Sequence, residues 1–237
     1  MPRFFVDLAL TGPGELTLPP GAARHVQVLR LQPGEPLTLF DGTGSEWRAE
    51  VTAMGRSEVR VQLLDATQPA RELACAVTLA VVMPANDRMD FLVEKATELG
   101  AAGVQPLMGE RSVLRLTGDR AEKKRAHWQA VAIAAAEQSG RTVPTRIEPV
   151  MTLTRWLAGL AAPAQDEWRG LLSPRAAVPL ARFNAARALL LSGPEGGLSD
   201  AEEEAARACG FTATHLGPRI LRADTAPLAV LAWVALG

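Results

Sequence analysis

Hydrophobic and polar residues alternate along the first part of the chain. The stretch PLTLF-DGTG-SEWRAEV, residues 36–51, alternates on both sides of a glycine-containing turn, which predicts a β-hairpin. The stretch EVRVQLL, residues 58–64, has the composition of another strand, and prolines interrupt the remainder. We therefore predict a small β-barrel over residues 1–70. The polar, proline-containing stretch TQPARE, residues 67–72, is the predicted domain boundary.

The pattern changes at Leu73. The stretch LACAVTLAVV, residues 73–82, is continuously apolar, as in a strand buried on both faces. The following stretch, residues 86–100, predicts an amphipathic helix that Asp87 caps and Gly100 ends. Its apolar residues recur at helical spacing on one face: Met89, Leu92, Val93, Ala96 and Leu99.

Strand and helix patterns alternate from there to the last residue. Predicted strands are GVQPLM (103–108), TRIEPV (145–150), EWRGLLS (167–173), ALLLS (188–192) and TATHLG (212–217). Predicted helices are residues 121–141, 153–160 and 225–236. This alternation predicts an α/β domain with a mostly parallel sheet over residues 73–237.

Composition narrows the class of protein. Hydrophobic residues make up 48% of the 237-residue chain, enough for a sizeable core, and the net charge of -1 means that any nucleic-acid site must be a local patch. Cys75 and Cys209 lack metal-ligand or CxxC spacing, which favours buried thiols in a reducing compartment. The first residues lack the apolar stretch of a signal peptide, and residues 226–237 are too short to span a bilayer. We expect a soluble, cytoplasmic protein.

One stretch raises the question of a ligand. In LLLSGPEGGLSDAEE, residues 189–203, Ser199 and Glu202 have the spacing of a capping box, so Gly193–Leu198 forms the turn between a strand and a helix. Ligands of open α/β sheets bind beyond the carboxyl ends of strands, where glycines let the backbone approach them. The spacing fits neither a P-loop nor a dinucleotide fingerprint, and Glu195 disfavours a polyanion. S-adenosylmethionine, an adenosine ligand with a positive sulfonium, conflicts with neither feature; a tight turn without ligand is the alternative.

The next strand-to-helix connection has similar features. The stretch HLGPRILRADTAPLAV, residues 215–230, contains Gly217 and Pro218, and Thr225 is a candidate helix cap. Two consecutive glycine-bearing turns at the same end of a sheet favour a ligand site over coincidence.

Several stretches together resemble one known family. GPEGGLS, LGPRILRADTA and AAAEQSGR, with EKATELG and ERS (110–112), are similar to segments of the RsmE family of 16S ribosomal RNA uracil-N3 methyltransferases in the SPOUT superfamily. The N-terminal HVQVLRLQPGEPLTLFDGTG is similar to that family's PUA-like barrel. The resemblance covers nearly the whole chain, in order. One departure is Asp224, where the family pattern has Glu.

The resemblance implies a fold and an activity. It implies a C-terminal SPOUT domain with a deep trefoil knot, an obligate homodimer, and methyl transfer from S-adenosyl-L-methionine without a metal, leaving S-adenosyl-L-homocysteine. The methyl acceptor would be N3 of a specific uridine of 16S rRNA, in the decoding region of the small subunit. The expected donor-binding residues are Leu172, Ser173, Gly193, Pro194, Glu195, Gly196, Gly197, Leu216, Gly217, Ile220, Leu221, Arg222, Thr225 and Ala226.

The uracil nitrogen must lose a proton, so a base or a cation that stabilises the uracil anion is required. The candidate catalytic residues are Arg222, Glu195 and Arg141; the last ends the long helix together with Glu137 and Gln138. Alternatively, Glu195 hydrogen-bonds loop amides and Arg222 pairs with Asp224. Which residue deprotonates the uracil stays open.

A local charge excess indicates where RNA binds. Residues 111–146 contain eight basic and three acidic residues, whereas residues 1–70 contain six basic and eight acidic ones. RNA phosphates bind such local patches, although a solvated helix face is the alternative. The predicted RNA-binding residues are Arg3, Arg24, Arg30, Arg111, Arg115, Lys123, Lys124, Arg125 and Arg141.

Two other functions stay open at this point. One is a methyltransferase of the same superfamily that acts on tRNA, and the other is a non-catalytic RNA-binding ribosome assembly factor. The intact glycine loops argue against the second. The sequence does not distinguish naked rRNA from an assembled small subunit as substrate, nor does it define the RNA footprint or the role of the barrel.

Overall fold

A computed structural model describes residues 1–56, 58–85 and 88–236 of the chain. The chain divides into two compact units, one made of Met1–Glu72 with Ala136–Pro144 and the other of Leu73–Ala135 with Thr145–Gly237. The sequence pattern predicts the boundary near residue 70, but it does not predict that residues 136–144 belong with the N-terminal unit. Asp87, the predicted cap of the first helix of the second unit, lies outside the described residues.

The N-terminal unit contains a five-stranded sheet, one whole helix and the last residues of a second helix. Its elements are β1 (Arg3–Phe5), β2 (Gly14–Thr17), α1 (Pro20–Val28), β3 (Pro36–Phe40), β4 (Glu46–Met54) and β5 (Val59–Thr67). The sheet order is β1-β3-β4-β5-β2. The predicted hairpin is the antiparallel pair β3 and β4, in which Leu39 lies opposite Trp47. Helix α1 was not predicted, because prolines at its start mask a short apolar face of Ala22, Ala23 and Val26.

The second unit is an α/β domain. Its first elements are β6 (Ala76–Val82), α2 (Arg88–Glu98), β7 (Gly103–Met108) and α3 (Gly118–Ser139), whose last residues belong to the N-terminal unit. There follow β8 (Arg146–Ile147), β9 (Met151–Thr152), α4 (Leu153–Ala158), β10 (Glu167–Leu172), β11 (Arg187–Ser192), α5 (Asp200–Ala208), β12 (Thr212–Thr214) and α6 (Thr225–Ala235).

The sheet of this unit has the order β12-β10-β11-β6-β7-β8, and β9 pairs with β7. Every pairing in it is parallel, which confirms the predicted α/β class. The central strand β6 is buried on both faces, as its continuous apolar sequence predicts. Because β10, β11 and β12 are neighbours, the connections that follow them meet at one edge of the sheet.

Helix caps agree with the sequence in one case and differ in another. Ser199 caps α5 and Glu202 completes the capping box, as predicted. Thr225, the predicted cap of α6, is instead the first residue of the helix, and Asp224 occupies the cap position without a side-chain capping bond. Within the described part of the chain, no helix is long and apolar enough to cross a membrane.

Candidate active site

A cavity of about 640 Å³ opens at the carboxyl ends of β10, β11 and β12. Three segments provide most of its lining: residues 172–175, the glycine-rich loop of residues 192–198, hereafter the donor loop, and most residues between 214 and 226. Arg88, Arg111 and Glu203 also line it. Every predicted donor-binding residue except Thr225 lines this cavity. The two glycine-bearing turns therefore lie together, as the topology of a parallel sheet requires.

The donor loop is a tight turn that folds back on itself. The amide of Gly197 donates to the carbonyl of Pro194 at 2.8 Å. A Cβ on Gly193 would lie 2.9 Å from the amide nitrogen of Leu198, and Gly197 has a φ of +67°. Glycine is thus required at Gly193 by close packing and at Gly197 by its left-handed backbone. At Gly196 a Cβ would meet only Arg111, at 3.5 Å, an ordinary contact.

The turn after β7 forms hydrogen bonds with the donor loop and with the start of α5. Nη1 of Arg111 donates to the carbonyl oxygens of Gly196 at 2.7 Å and Leu198 at 3.3 Å. The amide of Glu110 donates to Oε1 of Glu202 at 2.7 Å, while Oε2 of Glu202 accepts from the Ser199 amide. We call this set of contacts the loop clamp. The sequence analysis assigned Arg111 to RNA binding; the structure shows its guanidinium bound to loop carbonyls, and the RNA contact stays a prediction.

Glu195 is held by the start of α2. Its carboxylate accepts from the amide of Ala85 at 3.2 Å and from Nη1 of Arg88 at 3.1 Å. A general base needs a lone pair directed at the proton it removes. The arrangement favours the structural alternative for Glu195, a carboxylate that anchors the donor loop, over its predicted role as a base.

A buried carboxylate that the sequence analysis missed lines the same cavity. Glu203 is 6% exposed and accepts hydrogen bonds from Ser173, Arg175 and Arg207, each at 2.9 Å. Burial raises its pKa, but the hydrogen bonds from Arg175 and Ser173 and the nearby charges outweigh burial and lower it below its usual value. The only sequence signal is a second glutamate after a helix cap, which by itself is typical of a solvated helix start.

The third segment runs from β12 to α6. Gly217 has a φ of +91°, and its amide donates to Nδ1 of His215 at 3.1 Å. The carbonyl of Arg222 accepts from the amides of Thr225 and Ala226, which starts α6. The side chain of Arg222 is exposed and lines the cavity. The predicted alternative, an ion pair of Arg222 with Asp224, is not formed among the described residues.

Two hydroxyl groups at the cavity floor have no partner within the described residues. Ser192 is 2% exposed and Thr214 3%, and neither hydroxyl makes a hydrogen bond. Buried polar groups normally have partners, so unpartnered ones in a cavity indicate a polar ligand. Apolar walls from Leu172, Leu216 and Ala226 accompany them. This combination of apolar surface and hydrogen-bonding groups fits the adenosine and amino-acid parts of S-adenosylmethionine.

Arg141 lies elsewhere, in the N-terminal unit. Its side chain is 5% exposed, and its guanidinium donates to both carboxylate oxygens of Glu72, with Nε at 3.1 Å from Oε2. It does not line the cavity. Its guanidinium is thus buried and bound to a carboxylate, while its predicted catalytic and RNA-binding roles stay predictions. A long helix with an arginine at its end gave no sign of this pairing.

Arg3 is also held by contacts within the N-terminal unit. Its side chain is 14% exposed, pairs with Glu46, and donates to the carbonyls of Gly140 and Arg141 at 3.1 and 3.2 Å. These contacts make Arg3 part of the packing of the N-terminal unit, and its phosphate contact stays a prediction.

The remaining predicted RNA-binding residues are mostly at the surface. Arg24 and Arg30 are exposed in the N-terminal unit, and Arg30 has a φ of 57° just after α1. On α3, Lys123 is exposed, Lys124 is half-buried, and Arg125 pairs with Glu122 at 2.9 Å. Arg115 donates to the carbonyl of Glu110.

Comparison with known families agrees with this site. A family model described as the RNA methyltransferase domain matches residues 71–235, and one described as the RNA methyltransferase PUA domain matches residues 18–64. The fold and the cavity thus define an RNA methyltransferase with an N-terminal PUA domain. The ribosomal RNA small subunit methyltransferase E of Synechocystis is 35% identical over 92% of this chain and 72% of the relative. The Bacillus subtilis protein of that name is 31% identical over 89% of this chain and 85% of its own length. The chain belongs to the ribosomal RNA small subunit methyltransferase E family, which confirms the resemblance seen in its loops.

Solved structures give the same result. The Neisseria gonorrhoeae ribosomal RNA small subunit methyltransferase E bound to S-adenosyl methionine is 34% identical, with a TM-score of 0.91 over 100% of this chain and 97% of that one. A Legionella pneumophila putative methyltransferase in complex with the same cofactor is 29% identical, with a TM-score of 0.91 over 99% and 96%.

Proposed function

We propose that this protein transfers a methyl group from S-adenosylmethionine to N3 of a uridine in the 16S rRNA of the small ribosomal subunit. The observation that carries the proposal is the cavity at the ends of β10, β11 and β12, with its glycine loops and unpartnered hydroxyls. Relatives that bear the name ribosomal RNA small subunit methyltransferase E support the choice of RNA. The particular uridine, in the decoding region, is implied by the family resemblance.

S-adenosylmethionine supplies an electrophilic methyl group on a sulfonium and needs no metal to do so. The chain's part is to hold the donor and the base in line, since positioning supplies much of the rate of such a transfer. Main-chain groups of Gly193–Leu198 and Leu216–Leu221 would bind the adenosine part, and the hydroxyls of Ser192 and Thr214 would find their missing partners on the donor.

Arg222 is the residue proposed to act on the uracil. Its side chain is exposed at the cavity, and no ion pair holds it within the described part of the chain. A guanidinium there would stabilise the negative charge that uracil acquires when N3 loses its proton. Glu195 and Arg141 are not proposed for this role, since their side chains are bound elsewhere.

Two further expectations concern the homodimer and the knot. Helix α6 is apolar after Thr225; Pro227, Val230 and Leu231 are buried, whereas Leu228, Trp233 and Val234 are half-buried. The remaining apolar surface supports a homodimer through α6, as the family resemblance implies. Light scattering at micromolar concentration should give twice the chain mass of 25.2 kDa, and a monomer mass would overturn the dimer. The trefoil knot also stays a prediction of the resemblance.

The function is tested by donor binding and by the product. Calorimetry should show one S-adenosylmethionine site per chain without added metal. Mass mapping of 16S rRNA from a deletion strain should show one uridine without its methyl group, restored by the wild-type protein. No binding at millimolar donor would favour a non-catalytic assembly factor, and a methyl group lost from tRNA instead would favour the tRNA alternative.

A further inference from the structure

The rim of the donor cavity carries more arginines than acidic partners. Five arginines line it, against Glu195 and Glu203: Arg88, Arg111, Arg175, Arg219 and Arg222. Ion pairs or main-chain carbonyls engage the first three of these arginines. The side chains of the last two are exposed, and within residues 1–56, 58–85 and 88–236 neither makes an ion pair or a hydrogen bond.

The methyl donor does not account for this excess. S-adenosylmethionine carries a sulfonium, an ammonium and one carboxylate, so it is a net cation at neutral pH. A cationic ligand gains nothing from two more unpaired guanidinium groups beside it, since like charges repel. The charge at the rim therefore suits a second, anionic molecule, and the RNA that must reach the same cavity supplies phosphates.

An exposed apolar side chain lies between the two arginines. Ile220 is 84% exposed and also lines the cavity. A large aliphatic side chain that is exposed to water is unfavourable in free energy. Contact with an apolar surface would remove that unfavourable exposure. N3 lies on the Watson–Crick edge of uracil, so the target base must be unpaired and unstacked before methyl transfer. Proteins often place aliphatic side chains beside such unstacked bases.

We propose that the side chains of the segment Arg219–Arg222 bind the RNA strand at the target nucleotide. Arg219 binds a phosphate of the RNA strand beside the target uridine. Ile220 packs against the unstacked base or its neighbour, which keeps Arg222 opposite the ring. The proposal rests on the proposed function, and it assigns side chains only, because donor contacts of this segment are expected from its main chain.

The experiment compares Arg219→Ala and Ile220→Ala by filter binding to an unmodified 16S rRNA transcript at several salt concentrations. Arg219→Ala should weaken binding several-fold and flatten the slope of log affinity against log salt by about 0.7, the value for one phosphate contact on single-stranded RNA. Ile220→Ala should weaken binding about tenfold with an unchanged slope, because it removes apolar contact and no charge. Calorimetry with S-adenosylmethionine accompanies each variant, and any loss of donor affinity should be smaller than the loss of RNA affinity, because the main chain of the segment is kept.

Two controls keep the result interpretable. Arg155→Ala removes an exposed arginine from α4 that does not line the cavity, so its salt slope should match the wild type. Arg219→Lys keeps the charge and should keep the slope. Wild-type RNA binding by both alanine variants, or loss of donor binding with an unchanged salt slope, would overturn this proposal. If the wild-type protein itself fails to bind donor or to methylate RNA, the proposed function fails instead.

Discussion

The guanidinium of Arg111 holds the main chain of Gly196, with Nη1 2.7 Å from the carbonyl oxygen. The same nitrogen reaches the carbonyl of Leu198, so a single side chain holds two carbonyls in the second half of the donor loop. Hydrogen bonds from a charged donor are about twice as strong as neutral ones. We therefore expect Arg111 to be a positioning residue that acts on the donor through the backbone of the loop.

Arg111→Ala should weaken S-adenosylmethionine binding about tenfold, since one charged hydrogen bond contributes about 1.5–3 kcal/mol and part of that is recovered by solvent. Arg111→Lys should recover part of the affinity, because an ammonium can donate to one carbonyl. Calorimetry with the donor, without RNA, is the measurement. An unchanged donor affinity with a flatter RNA salt slope would return Arg111 to its predicted role as a phosphate contact.

Gly109→Ala provides a matched variant that keeps every charge. A Cβ on Gly109 would lie 2.9 Å from Oε1 of Glu202, the oxygen that accepts from the Glu110 amide. The methyl group should push this carboxylate away and loosen the same loop clamp. If the clamp positions the donor loop, Gly109→Ala should also lose donor affinity while its RNA salt slope stays that of the wild type.

Glu203 should give the protein a stability that acid removes. Its folded-state pKa is lowered below its ordinary value of 4.5, since the hydrogen bonds from Arg175 and Ser173 outweigh the opposite effect of burial. A lowered pKa contributes stability that is present above 4.5 and is lost as pH falls through the folded-state pKa. Urea unfolding of wild type and Glu203→Gln at several pH values should show a difference that shrinks in acid. A difference that stays constant with pH would contradict it.

The contribution of Glu137 to stability should change with pH in the opposite direction. Burial is the largest effect on this carboxyl and raises its pKa, against the Phe5 amide, His25 and Arg3. A raised pKa contributes stability below 4.5 that is lost as pH rises through the folded-state value. Compared with Glu137→Gln, the wild type should therefore be relatively more stable at pH 4 than at pH 7, which the same urea titrations measure. A trend like that of Glu203→Gln would refute this.

The parts of the site that the sequence could predict are those with a local cause. The glycine loops, the capping box at Ser199 and the parallel sheet all follow from spacing along the chain, and the sheet topology then brings the loops together. The hydrogen-bond and ion-pair partners of single charged side chains could not be predicted. Arg141 and Glu72 are 69 residues apart, and Arg111 and Gly196 are 85 apart. Such partners depend on tertiary packing, which leaves no periodic signal in the sequence.

Removal of Arg141 should affect stability and leave turnover intact. Arg141→Ala leaves the Glu72 carboxylate without its partner. Breaking a buried pair costs about 3–5 kcal/mol, and we expect about 2 kcal/mol here because Glu72 is partly exposed and screened. Urea unfolding measures the loss, and turnover per folded enzyme at saturating donor and RNA should stay within a factor of about two to three of wild type. A hundredfold loss of turnover in a folded variant would support the predicted catalytic role instead.

The last prediction distinguishes the basic side chains that only bind RNA from the one that acts on uracil. Lys123, Lys124 and Arg125 are proposed to meet phosphates only, so alanine at each should weaken RNA binding and flatten its salt slope by roughly one unit or less per contact. Turnover at saturating RNA should barely change, because binding that is equal in ground and transition states does not alter the chemical step. Arg222→Ala should instead cut turnover at saturating RNA and donor by about a hundredfold or more, the typical loss for one such donor. Single-turnover methylation together with filter binding distinguishes the two patterns. Normal turnover with only weaker RNA binding in Arg222→Ala would show that Arg222 is one more phosphate contact and that another group stabilises the uracil anion.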